Sequence, residues 1–171
     1  MNPDYFGDSY DLVKRFFVHE LTQLGYSVEV DGMFTGEWSR DKRLRFHHLI
    51  GAESLRQDRS GSARTALFLD PDTGINERGS KKHATFKQLA QKAARYELVF
   101  AFDQSFSRQF KAETVIRKKL GALKSHGCHS MYYDSHARFV FVAKERSPLD
   151  ELQIRLISLG LPKRRLVMPD V

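Results

Sequence analysis

Apolar residues along this chain recur at helical spacing in some stretches and in short unbroken runs in others. Leu12, Val13, Phe16, Phe17, Leu21 and Leu24 fall three and four apart, Asp8 or Ser9 can cap the start, and Gly25 follows. This spacing predicts a helix from about Ser9 to Leu24. Tyr26 to Asp31 (YSVEVD) alternates as a half-buried strand does. A second helix with a poorer pattern is predicted from about Asp41 to Leu55, carrying Leu44, His48 and Leu55. The polar run Arg56 to Arg64 reads as a mobile surface loop.

Two continuous apolar runs follow, Thr65 to Asp70 (TALFLD) and Glu97 to Asp103 (ELVFAFD). Runs of this length suit parallel strands covered on both faces. Between them lie the loop PDTGINERGSKKH and a helix from about Phe86 to Arg95. A helix is expected over Arg108 to Lys124, with Ile116, Leu120 and Leu123 on one face. Ser130 to Asp134 and Phe139 to Ala143 read as a hairpin, and Ser147-Pro148 opens a last helix that Gly160 closes. Strands separated by helices predict a three-layer α/β fold, Rossmann-like in outline, with a mostly parallel sheet and a C-terminal antiparallel hairpin. Phe16, Leu67, Leu69, Val99, Phe100 and Leu120 are its expected core.

With 171 residues, 41% hydrophobic and 13 of them Phe, the chain has the material for one packed domain over residues 1–171. No apolar run is long enough to span a bilayer, and MNPDYFGDSYD has no signal-peptide character, so a cytoplasmic protein without membrane contact is expected. The single cysteine, Cys128, excludes an internal disulfide and a cysteine-based zinc site. A net charge of +7 favours polyanionic partners, nucleic acid or nucleotide.

Four strands end alike: Asp31, Asp70, Asp103 and Asp134 each close an apolar or alternating run. In an open parallel sheet the carboxyl ends share one edge, where ligands bind. Asp70, Asp72 and Asp103 are therefore the candidate ligands of a hard divalent ion, Mg²⁺ or Mn²⁺, which would offset the repulsion of clustered carboxylates. Aspartate also favours turns and helix caps for purely local reasons. Arg108, Lys82, Gln104 and Ser105 are candidate substrate-binding groups beside that edge, with Lys81 and His83 in the same loop as Lys82. Asp103, Asp134 and His136 are the candidate catalytic residues, His136 as a general base.

No G-x-G-x-x-G and no G-x-x-x-x-G-K-[ST] follows a strand, so the phosphate loops of dinucleotide folds and P-loop enzymes are missing. VDGMFTG and LDPDTG look like the acidic strand-end loops of methyltransferase-like domains, without their glycine-rich cofactor loop. The leading expectation is a metal-dependent phosphodiester-processing enzyme, a small nuclease or nucleotide hydrolase. The alternatives are a reduced nucleotide- or S-adenosylmethionine-binding Rossmann-like domain, and a non-catalytic module that binds nucleic acid or protein.

Overall fold

A computed structural model describes residues 1–55, 64–80, 82–106 and 111–169. The first helix, α1 (Ser9–Gln23), starts where Asp8 accepts hydrogen bonds from the Tyr10 and Asp11 amides. Gly25 follows it at φ 84°, a conformation that favours glycine. The strand β1 (Ser27–Asp31) then leads to α2 (Arg40–Ile50), capped by Ser39 and stopped by Gly51 in the left-handed region. The second helix is thus shorter than the expected 41–55. Phe46 and Ile50 are its buried residues, whereas Leu44 and Leu55 are exposed, which is why the apolar pattern was poor. After α2 come the short β2 (Glu53–Ser54) and the long β3 (Thr65–Leu69).

The loop expected after Asp70 contains structure of its own. A parallel two-stranded ribbon joins β4 (Gly74–Asn76) to β5 (His83–Thr85). A capping box between Thr85 and Gln88 then starts α3 (Phe86–Ala93). The remaining elements are β6 (Leu98–Phe102), α4 (Ala112–Ser125), β7 (His129–Tyr133), β8 (Phe139–Ala143), α5 (Ser147–Ser158) and β9 (Leu166–Val167). In α5, Arg146 is the N-cap residue rather than Ser147.

Among the described residues, seven strands form one sheet in the order β2-β1-β3-β6-β8-β7-β9. β2, β1, β3 and β6 are parallel neighbours, and β8 runs antiparallel to both β6 and β7, as the expected hairpin requires. One face packs against α1, α2 and α5 through Val30, Phe68, Phe100, Phe139 and Phe141. The other packs against α3 and α4 through Leu67, Leu69, Val99, Ala101 and Tyr132. Three layers result, and the α/β, Rossmann-like architecture is the one the pattern predicts.

Alternation along β3 and β6 explains the division of the core, since successive side chains point to opposite faces. Leu67, Leu69, Val99, Phe100 and Leu120 are all buried. Phe16 is only partly so, and its neighbour Phe17 takes the central place, its ring centroid 4.8 Å from that of Phe139 and 5.1 Å from that of Phe141. Phe17→Ala is therefore expected to cost about 3–5 kcal/mol, the range for a buried aromatic, and Phe16→Ala clearly less. Urea unfolding of the two variants checks this; equal losses would mean that the inner face of α1 is wrongly assigned.

Candidate functional site

The carboxyl ends of β1, β3 and β6 lie together. Asp31 pairs in register with Leu69, the Asp70 amide donates to the Asp31 carbonyl at 3.0 Å, and Leu69 pairs with Ala101. Asp31, Asp70 and Asp103 thus occupy one edge of one sheet. The chain leaves β1 toward α2 on one face and leaves β3 toward α3 on the other. The point between them is the place where open α/β sheets form a ligand crevice.

Period-two alternation separates the carboxylates that the metal reading joined. Asp70 follows Leu69 and turns to the α1 face, where it accepts a hydrogen bond from Lys14 at 2.9 Å; Lys14 also donates to Asp11 at 2.8 Å. Asp103 follows Phe102 and turns to the α4 face. There it accepts from Lys119, from the Tyr132 hydroxyl at 2.7 Å, from the Ile75 amide at 3.0 Å and from the Ser105 amide at 3.1 Å. Asp70 and Asp103 share an edge but not a face, and each faces a different buried lysine. Among the described residues, no three His, Cys, Asp or Glu side chains form a group that could hold a metal ion.

The electrostatics of the two aspartates differ. Burial is the largest influence on Asp70 and raises its pKa, and Lys14, shared with Asp11, offsets this only in part. Lys14 is itself held above its ordinary value: burial works against the charge, but two carboxylates outweigh it. For Asp103 burial also works against the charge, yet Lys119, Ser105 and Tyr132 outweigh it and lower its pKa. The Tyr132 hydroxyl is pushed up by burial and by Asp103.

The sequence-predicted site residues fall into two groups. Asp70, Asp72, Lys82 and Gln104 line a cavity of about 450 Å³ at the crevice, with Lys14, Tyr10 and Phe102 among its other walls. His136 joins this group indirectly, since its Nε2 lies 2.8 Å from the Tyr10 hydroxyl and its ring stacks on Tyr10 at 5.4 Å. Ser105 belongs instead to the buried Asp103 cluster, its hydroxyl accepting from Lys119 at 2.7 Å. Asp134 pairs with Arg138 at 3.0 Å, not with His136. Asp31 accepts from the Met33 amide, a turn-forming role. Arg108 and Lys81 lie outside the described residues, as does most of the polar run 56–64; Arg64 itself is anchored to Glu97 and Glu151.

Between β1 and β3 the crevice offers acceptors. The amino group of Met1 donates to the Gly32 carbonyl at 3.1 Å, the Met33 carbonyl at 2.8 Å and the Asp70 carbonyl at 3.3 Å, and forms an ion pair with Asp72 at 2.8 Å. The other Asp72 oxygen accepts from Thr35. The Met1 carbonyl takes the Trp38 indole N–H at 3.0 Å. Lys14, Tyr10 and Tyr132 were not singled out from sequence, and Lys119, read there only as part of a basic helix face, was not matched to Asp103. A readable signal existed for the lysines: each interrupts the apolar stripe of its helix, Lys14 between Asp11 and Phe17, Lys119 between Ile116 and Leu123.

Comparison with protein families, curated proteins and solved structures gave no match.

Gly74 is tied to this geometry. At φ 102° it lets β4 run over the end of β6, and a Cβ there would lie 2.2 Å from Asp103 Oδ1 and 2.6 Å from the Gln104 nitrogen. Asp103→Asn is expected to destabilise by about 3–5 kcal/mol, because Lys119 keeps a buried charge without its carboxylate. The sign with pH follows from the lowered pKa. Asp103 contributes stability above the ordinary carboxylate value of about 4 and loses it as pH falls through its folded value. The gap between wild type and variant should therefore close toward acid. A pH series of urea midpoints checks this, and a gap that widens toward acid contradicts the pairing.

Proposed function

We propose that this protein is a Rossmann-like domain that binds a nucleoside-type ligand carrying a cationic amino group, of the S-adenosylmethionine kind, in the crevice at the carboxyl ends of β1, β3 and β6. The observation that carries this reading is the donor–acceptor character of the crevice. Three carbonyl oxygens and the Asp72 carboxylate converge on an ammonium, which in this chain is that of Met1. Phosphate-binding crevices present backbone N–H groups and a glycine-rich turn instead. Here the loop after β1 turns carbonyls inward, so a ligand ammonium that takes the place of the Met1 amine suits it better than a pyrophosphate.

The adjoining cavity supplies the rest. Tyr10, Tyr5 and Phe102 give apolar walls for a planar group, while Gln104, Lys82 and Asp72 provide the few polar contacts that orient a ligand. The Tyr10–His136 pair at the rim is a hydrogen-bonded couple able to pass a proton to or from a reacting group. LDPDTG lies at the crevice as the acidic end of β3, in keeping with its likeness to methyltransferase-like strand-end loops. A nucleic-acid partner is supported by the net charge of +7 and by the exposed Arg40, Lys42, Arg43 and Arg45 of α2.

Thermal melting with S-adenosylmethionine, adenosine or ADP, each with and without Mg²⁺, tests the reading, since a ligand that binds the native state raises its stability. S-adenosylmethionine should raise the melting temperature without Mg²⁺ and more than adenosine does. Asp72→Asn should abolish the difference between the two, and Tyr10→Phe should leave it. Stabilisation by ADP that requires Mg²⁺, with none by S-adenosylmethionine, would overturn the proposal and restore the metal-dependent phosphodiesterase.

A further inference from the structure

A second cavity lies at the opposite edge of the sheet, where β7 begins and β8 ends. It encloses about 340 Å³ and is bounded by Lys124 from the end of α4, Cys128, His129 and Ser130 from the start of β7, and Arg146 at the start of α5. Among the described residues its charged lining is cationic, with no carboxylate. Lys144 stands close by, its ammonium 3.2 Å from the Gly127 carbonyl.

Ser130 is the second observation. The residue is 1% exposed, and its hydroxyl has no hydrogen-bond partner among the described residues. A buried hydroxyl left in that state costs about 1–3 kcal/mol, so it calls for an acceptor that the chain does not supply. Beside it the last carbonyls of α4 accept backbone amides, Leu123 from His126 and Cys128, and Lys124 from Gly127. The twelve-residue helix α5 starts here without a side-chain cap, which adds the partial positive charge of a helix N-terminus. Arg146 donates through Nε to Asp150 at 3.3 Å, which uses one of its five donors.

We propose that this cavity is an oxyanion site for a phosphate group. The Ser130 hydroxyl donates to one oxygen, and Lys124 and Arg146 supply charge-assisted contacts to the others. The site lies across the sheet from the crevice and does not depend on the ligand proposed there. Inorganic phosphate and a phosphate monoester share this chemistry, and the test separates them.

The test is a titration of the whole chain with inorganic phosphate at constant ionic strength, followed by the backbone amide resonances of residues 127–130 and by thermal melting. Saturable shifts confined to these amides are expected, with Ser130→Ala and Lys124→Gln each weakening binding about tenfold, the loss of one charge-assisted bond. Ser130→Ala should leave the phosphate-free protein as stable as the wild type or more so, because it removes an unpartnered hydroxyl. Glycerol phosphate binding more tightly than inorganic phosphate identifies a monoester as the occupant, and equal binding identifies the free oxyanion. No shift at about 20 mM phosphate, beyond the range of a useful millimolar site, would overturn the proposal. So would unchanged affinity in both variants, or a Ser130→Ala protein that is less stable without phosphate.

Discussion

The carboxylate of Asp103 is the junction on which the second half of the fold depends. It accepts hydrogen bonds from groups on four separate segments: Lys119 on α4, Tyr132 on β7, Ile75 on β4, and Ser105 in the turn after its own strand. A charge buried this deeply persists only when its oxygens are fully engaged. Each partner thereby fixes the position of the element that carries it. The β4–β5 ribbon, which pairs with no strand of the main sheet, is held over β6 by this bond and by the close approach that Gly74 permits.

That junction also shows where the sequence was legible. The apolar runs of β3 and β6, the hairpin of β7 and β8, and the fact that four strands finish in aspartate could all be read from residue order. The face onto which each aspartate turns could in principle be read as well, by counting alternation from Leu69 and from Phe102. It decides that Asp70 and Asp103 do not meet. What residue order did not reveal was the partner of each carboxylate, because Lys14 and Lys119 lie 56 and 16 residues away in sequence. A charged residue inside an apolar helical stripe was the available clue. The β4–β5 ribbon and β9 escaped notice because two- and three-residue strands carry too little pattern to register.

The two ends of the sheet, where its ligand crevice and its second cavity lie, have opposite chemical characters. At the carboxyl ends, backbone carbonyls and Asp72 gather around an ammonium, while Lys14 is taken up by two aspartates. At the other edge the lining is donor-rich, with lysine, arginine and an unmatched hydroxyl. The basic excess of the chain is therefore not spread evenly over every concave surface. In the crevice that the fold favours for ligands it is balanced by aspartates, and at the cavity behind it the described lining has none.

The outermost strands of the main sheet, β2 and β9, are two residues long at either end. A sheet margin is the usual template on which a second chain adds by backbone pairing, and long, flat, apolar margins drive aggregation. Here the exposed residues Glu53 and Ser54 form one margin, and Leu166 and Val167 form the other. Neither is long enough to seed an ordered strand from another molecule. Among the described residues, the long apolar strands β3, β6 and β8 are thereby kept off the margins of the sheet.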